Sequence, residues 1–238
     1  MDVKEKEAEI IVSNNETALV QPQQYIPEKT DSLLIRKIFK RLIDILGGIV
    51  GTIVLIPLTI GIAIANLICK DTGSIFYSQY RIGKNGKLFK IYKYRSMVVG
   101  ADEKLKKYLE ENEEARKEYK KYKKLKHDPR VTKVGEFIRK TSLDEFPQFI
   151  NVLKGDMSLV GPRPYLEREK EDMNGYYKYI TTFKPGLTGL WQISGRSDVD
   201  FATRIDLDMQ YYYNHSLKGD IKILFKTAMK LVKREGAL

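Results

Sequence analysis

Polar and apolar residues follow no period through residues 1–31, where charges of both signs surround the run Gln-Pro-Gln-Gln. Such a stretch has no face to bury, which predicts a mobile N-terminal tail. Ser32 to Arg41 is a basic amphipathic run suited to a membrane surface. From Ile43 to Cys69 the chain turns almost wholly apolar, "IDILGGIVGTIVLIPLTIGIAIANLIC". As a helix this stretch reaches roughly 40 Å, more than the ~30 Å of a bilayer's hydrocarbon core. A cleaved signal peptide is a poor reading, because the run is too long and begins only after some forty residues. Ala63-Ile64-Ala65 mimics a cleavage site, and Ile68 ahead of Cys69 is wrong for a lipoprotein cysteine. The pattern predicts a membrane segment.

Its flanks are basic on both sides: Arg36, Lys37, Lys40 and Arg41 precede it, and Lys70, Arg81, Lys84 and Lys87 follow. The positive-inside rule places both ends in the cytoplasm. Pro57, near the middle, removes one helical hydrogen bond and bends the axis. Two forms follow. One is an ordinary kinked spanning helix; the other bends at Ile56-Pro57 and returns to the face it entered, which the paired basic flanks favour.

Beyond the apolar run, "GSIFYSQYRIGKNGKLFKIYKYRSM" alternates aromatic and basic residues around Lys84-Asn85-Gly86 and predicts a β-hairpin. Between Asp102 and Lys126, Leu105, Tyr108, Leu109, Ala115, Tyr119, Tyr122 and Leu125 recur at three- and four-residue steps. That spacing predicts one amphipathic helix whose stripe packs on a core and whose charged face is solvated. Further helices are expected to start near Asp144, Tyr165 and Phe201, with a last one over Asp220 to Lys233.

Composition narrows the chemistry. The 238 residues carry a formal charge of +11, which calls for an anionic partner: nucleic acid, a phosphorylated substrate or an anionic membrane. A single cysteine excludes a disulfide framework. With His127 and His215 the only histidines, catalytic groups must come mainly from Asp, Glu, Ser, Thr, Tyr or Lys. The absence of GxxxxGK[ST] argues against a P-loop.

The candidate chemistry centres on "TSLDEFPQF", residues 141–149, where Asp144 and Glu145 stand together among Leu143, Phe146 and Phe149. A structural explanation is a helix cap: Ser142 with Glu145 fits a capping box, and an Asp144 cap would put Pro147 in the first turn. Farther on, Pro162 and Pro164 restrict the backbone around Arg163 and hold a guanidinium fork suited to phosphate. Lys93 and Arg95, in "YKYRSM", are expected as strand positions facing one anionic site. Two carboxylates among fixed cations suit a magnesium ion with a diphosphate. An aspartate can also attack phosphorus and form an acyl phosphate.

The segments "YRIGKNGKLFKIYKYRSM", "DPRVTKVGEFIRKTSLDEFPQFINVLKGDMSLVGPRP" and "KPGLTGLWQISGRSD" resemble the bacterial sugar transferase family, the monotopic polyprenyl-phosphate phosphoglycosyl transferases. The likeness runs from about Leu34 to the C-terminus. "GLWQISGRSD" with "YYYNHSLKGDIKIL" resembles the branch that transfers hexose 1-phosphate to start exopolysaccharide or capsule units. The extra N-terminal membrane helices common there are not seen in this chain, which reads as a catalytic unit alone. The resemblance implies a largely helical α+β fold: a tail over 1–31, a lead-in and re-entrant helix bent at Pro57 over 32–72, and a cytoplasmic catalytic domain over 73–238. Surface amphipathic helices and a small β-hairpin or sheet complete it, at the bacterial cytoplasmic membrane.

The resemblance further implies that Asp144 attacks the β-phosphorus of a UDP-hexose and releases UMP. Undecaprenyl phosphate would then take the phosphosugar. Glu145, with Asp144, would hold Mg2+; Arg163 would bind phosphate, with Lys93, Arg95 and Arg139 as further cations. Tyr94 and Ser96 depart from the family's usual Phe and Thr, and His215 stands where the branch often has Trp. The expected partners are membrane lipid and the two substrates, with room for a homo-oligomer and polysaccharide-assembly proteins, and no nucleic acid. The competing reading is a non-catalytic basic membrane adaptor, which leaves Asp144-Glu145 and Pro162-Arg163-Pro164 without a role.

Overall fold

The structure, a computed structural model, describes residues 30–194 and 199–233. The expected tail over 1–31 lies outside these residues except for its last two positions. The apolar run folds as one helix, α1 (Thr30–Ile68), that continues through Pro57. A hairpin follows, β1 (Phe76–Ile82) and β2 (Leu88–Tyr94), antiparallel in a register running from Phe76 opposite Tyr94 to Ile82 opposite Leu88. Its turn is the expected Lys84–Gly86, where Asn85 takes a left-handed conformation. After it come α2 (Ala101–Glu111), α3 (Glu113–Tyr122), α4 (Lys133–Lys140) and α5 (Gln148–Lys154). Strands β3 (Ser158–Val160) and β4 (Gly186–Thr188) pair in parallel, with α6 (Tyr177–Ile180) between them. The chain continues with α7 (Leu190–Ser194), α8 (Phe201–Asn214) and α9 (Leu217–Lys233). The described residues are thus mostly helical with two small sheets, as the α+β reading anticipates.

Several expected boundaries move. The single helix over 102–126 is two, because Asn112 takes an extended conformation and its side chain accepts from the Ala115 N–H. Asparagine favours such a cap over a helix interior. No α-helix starts near Asp144: Ser142 is left-handed and makes no side-chain cap, Leu143–Glu145 is a single 3-10 turn, and α5 begins after Pro147. Both capping explanations for the carboxylates therefore fail. Near Tyr165 there are only 3-10 turns, Glu167–Glu169 and Glu171–Tyr176. The last helix starts at Leu217, three residues before the expected Asp220.

α1 is built into the domain along both halves. Before Pro57, Arg41 donates to the carbonyls of Val152 and Leu153 that end α5, satisfying groups a helix C-terminus leaves open. Lys40 donates to the Val160 carbonyl and pairs with Asp220 at 2.6 Å. Asp44, buried, accepts from the Ser158 hydroxyl and the Leu159 N–H. Gly51 faces the Phe149 ring so closely that a Cβ there would overlap it. Beyond Pro57, Ile62 shares a core with Leu55, Tyr94, Val134 and Ile138. Burial of these apolar side chains stabilises the contact by roughly 1.5–3 kcal/mol each.

Two hydroxyls converge beside Pro57, on the Leu55 carbonyl rather than on the Ile53 carbonyl that the proline leaves without its helical donor. Thr59 Oγ1 donates to the Leu55 carbonyl at 2.7 Å, and the Tyr94 hydroxyl lies 2.6 Å from that Oγ1 and 3.3 Å from that carbonyl. The hydroxyl that distinguishes Tyr94 from phenylalanine is thus the one that reaches α1. His215 has a comparable role: its Nδ1 faces the Tyr212 carbonyl at 2.9 Å and its Nε2 faces Arg36 at 2.8 Å, tying α8 to the start of α1. On its other side α1 exposes a row of large apolar residues, among them Phe39, Leu46, Ile53, Ile60 and Leu67.

Candidate active site

Four separate elements converge on one open cavity of about 2300 Å³, lined by Lys93, Arg139, Asp144, Glu145 and Arg163 among others. β2 delivers Lys93, the last turn of α4 delivers Arg139, and the 3-10 turn delivers both carboxylates. The left-handed Ser142, φ 58°, turns the chain at that point. Positive φ at a non-glycine residue is uncommon and tends to gather at functional sites. Arg163 follows β3, whose end is held to α1 through Lys40 and Asp44.

Lys93 Nζ lies 2.7 Å from Glu145 Oε1 and 3.7 Å from Asp144 Oδ2, so one ammonium faces both carboxylates. Burial pushes the Asp144 carboxyl up to about 6, with Glu145 adding to the rise while Lys93 and Arg139 oppose it. Asp144 is therefore a desolvated carboxylate that its neighbouring cations keep ionised near neutral pH. A carboxylate stripped of water but still charged is a better nucleophile than a solvated one.

Arg163 sits in a second group of residues. Its guanidinium lies over the Trp191 ring at 5.4 Å and the Tyr165 ring at 5.9 Å, with Glu169 at 3.6 Å. Its backbone N–H donates to Asp208, which also accepts from the Tyr165 hydroxyl at 2.7 Å. Arg204 also faces Trp191, at 5.5 Å, and Arg81 donates to the Pro164 carbonyl. Burial and the charge of Arg163 lower both Arg81 and Arg204 to about 10, which leaves them charged. Arg163 repels both of its neighbours, and an anion beside it would relieve that repulsion. Arg81, Trp191 and Arg204 were not among the residues expected from sequence. Arg81 and Trp191 stood inside the quoted motifs, and their one signal was that Trp191 is the chain's single tryptophan.

Arg95 does not behave as expected. Its guanidinium pairs with Asp71 at 2.8 Å and donates to the carbonyls of Ser74 and Met97. It is buried with these bonds made, strapping the end of α1 to the hairpin rather than presenting charge to the two carboxylates. It lines the same cavity as Lys93, as strand alternation expects, but with its donors taken up by Asp71, Ser74 and Met97.

Among the described residues no group of three or more acidic, histidine or cysteine side chains forms a metal cage. Asp144 and Glu145 fit a magnesium ion that arrives with its phosphates, since Mg2+ takes one or two carboxylates and fills its octahedron with phosphate and water oxygens. The lining is apolar in part, with Leu46, Val50 and Val54 of α1, Leu224 and Ala228 of α9, and Phe146 and Phe149 among its residues. At 2300 Å³ the whole is well above the ~300–1,000 Å³ of a single-ligand pocket. It has room for a polar and an apolar ligand side by side.

The chain is similar to several curated proteins. It is 46% identical over 226 residues to the undecaprenyl-phosphate galactose phosphotransferase of Salmonella typhimurium, a match covering 95% of this chain and 46% of that protein. It is 45% identical over 204 residues to the exopolysaccharide production protein ExoY of Sinorhizobium fredii, covering 85% and 90%. The UDP-glucose:undecaprenyl-phosphate glucose-1-phosphate transferase of Escherichia coli matches at 37% over 205 residues, 82% of this chain and 40% of that one. The chain thus spans about half the length of some relatives and nearly all of another. The model of the family described as bacterial sugar transferase matches residues 35–234, which include every element of the cavity, and the chain belongs to that family.

Proposed function

We propose that the chain transfers a hexose 1-phosphate from a UDP-hexose to undecaprenyl phosphate, through Asp144, as the first step of exopolysaccharide or capsule assembly. The observation that carries the reading is Asp144 itself: a buried carboxylate kept charged by Lys93, in a cavity lined by both arginines and apolar side chains. Asp144 Oδ attacks the β-phosphorus of the UDP-sugar. The bond from that phosphorus to the bridging oxygen breaks, and UMP leaves with the oxygen and the electron pair. A phosphate oxygen of undecaprenyl phosphate then attacks the same phosphorus, and Asp144 leaves as carboxylate. Lys93 holds Asp144 ionised and meets incoming phosphate, while Arg163, with Arg81 and Arg204 near it, neutralises the diphosphate. Asp144 and Glu145 would hold Mg2+, which when bound supplies further neutralisation of phosphate charge.

The apolar part of the lining suits the isoprenoid chain of the acceptor, and the length and apolarity of α1 support a site beside a bilayer. Both halves of α1, on either side of Pro57, touch the same domain, which supports a helix that enters and leaves by the cytoplasmic face. The names of relatives carry galactose and glucose, so both nucleotide sugars belong in the assay. Purified protein with magnesium, undecaprenyl phosphate and either UDP-sugar should release UMP, and the Asp144→Asn variant should not. No UMP from any UDP-hexose would refute the proposal and favour a binding role.

A further inference from the structure

The segment from Gly161 to Tyr165, which carries Arg163, has its backbone held at every residue. Gly161 donates to the Thr188 carbonyl, and the Pro162 carbonyl accepts from the Gly186 N–H. Arg81 donates to the Pro164 carbonyl, and Ile82 donates to that of Tyr165. The two prolines have no N–H, so the amide donor between them belongs to Arg163, and it goes to Asp208 Oδ2 at 3.0 Å. The guanidinium is treated differently. It makes no hydrogen bond among the described residues: Nε has no partner, and Glu169 stands off at 3.6 Å. The backbone is fixed and the charged end is left for a ligand.

Asp208 lies on α8 and is fully buried. One of its oxygens serves two donors, the Arg163 N–H and the Tyr165 hydroxyl at 2.7 Å, while Oδ1 has no partner among the described residues. Burying a carboxylate is costly, and for the packing of α8 alone an apolar side chain would serve better. The two bonds it makes go to the residue that bears the guanidinium and to a ring over which that guanidinium lies. The same helix braces both neighbours: Phe201 meets the Tyr165 ring edge-on at 5.9 Å, and Arg204 faces Trp191. We propose that Asp208 is a positioning residue of the transfer reaction, which fixes the Arg163 backbone and the Tyr165 ring and so sets where the guanidinium meets the diphosphate. This rests on the reading of Arg163 as the diphosphate ligand. Asp208 touches no substrate and acts through Arg163.

A double-mutant cycle on the full chain tests this. kcat/KM for the UDP-sugar, read from UMP release with magnesium and undecaprenyl phosphate, is measured for the native protein, Asp208→Asn, Arg163→Lys and the double variant. Misplacing a substrate clamp by about 1 Å can cost on the order of a hundredfold. Asp208→Asn keeps the shape and one carbonyl oxygen, and should cost about tenfold. Added to Arg163→Lys it should cost less than about threefold more, because a lysine has no planar fork left to aim. Equal losses in both backgrounds would show a merely structural role and overturn the proposal, as would no loss in the native background. Tyr165→Phe removes one donor to the same oxygen while leaving the carboxylate in place, so it covers the case in which Asp208→Asn does not fold. It should show the same non-additivity with Arg163→Lys, and additive losses there would also overturn the proposal. An unaffected rate in Arg163→Lys would overturn it together with the role of Arg163. UMP release that depends on Asp144 but shows an additive cycle sinks this inference alone; no UMP release from the native protein sinks the proposed function with it.

Discussion

Lys93→Met removes the charge that faces Asp144 while keeping the length of the side chain. At the 3.7 Å between Nζ and Oδ2, a pair of unit charges interacts by about 1 kcal/mol in bulk water and about 4.5 kcal/mol at an effective dielectric of 20. The Lys93 side chain is 25% exposed and that of Asp144 12%, so the applicable value lies between these limits. One pKa unit corresponds to about 1.4 kcal/mol, so the Asp144 carboxyl should rise by roughly one to three units. It stands near 6 with Lys93 in place. A two-unit rise would take it from about nine-tenths ionised at pH 7 to about one-tenth, a loss of about tenfold in rate from titration alone. The sign is distinctive: the acid limb of the pH–rate profile moves to higher pH, and activity returns in part at pH 9. The assay is initial UMP release between pH 5 and 9 at constant magnesium and UDP-sugar. A rate lowered by one factor at every pH, with the acid limb unmoved, would refute this role and leave Lys93 as a phosphate contact alone.

Asp208 offers a second titration. Burial pushes its carboxyl up to about 7, so the folded state holds the proton more tightly than the unfolded chain. That contributes stability fully present below pH 4 and lost as pH rises through 7, by at most about 4 kcal/mol. Asp208→Asn should therefore flatten the fall in melting temperature between pH 5 and 8.5, and an unchanged slope would exclude Asp208 as its source. Arg163→Lys replaces a planar fork stacked on Trp191 by a point charge, and should cost on the order of tenfold to a thousandfold in transfer rate; an unaffected rate would place Arg163 outside the phosphate site. Tyr94→Phe deletes the hydroxyl beside Thr59 and Leu55 and should cost about 1 kcal/mol in thermal or denaturant stability. No loss would mean that Thr59 alone satisfies the Leu55 carbonyl.

Local patterns were legible from the chain. The alternation around Lys84-Asn85-Gly86 predicted the hairpin, and with it the strand position of Lys93. The apolar run predicted α1, and the spacing of apolar residues from Leu105 to Leu125 predicted the stripe, though on one helix rather than on α2 and α3. What failed depended on partners far away in sequence. Arg95 reads as a strand cation until Asp71, from the end of α1, is seen to hold it. The Asp144 cap is plausible on spacing alone, but the left-handed Ser142 and the packing of Phe146 and Phe149 turn the segment into a 3-10 turn. Arg81 and Arg204 meet at Trp191 and Pro164 through tertiary packing that no periodicity encodes. Asn112 was open to prediction, since asparagine is a strong cap and the apolar stripe skips from Leu109 to Ala115 across it.

The central claim is that Asp144 carries the phosphosugar covalently. It is tested most directly by mass spectrometry of the protein mixed with UDP-sugar and magnesium and no lipid acceptor. The account predicts one hexose phosphate added to the peptide that bears Asp144, absent in Asp144→Asn and discharged by undecaprenyl phosphate. Product formation by Asp144→Asn at the normal rate, with no adduct on the native protein, would contradict it.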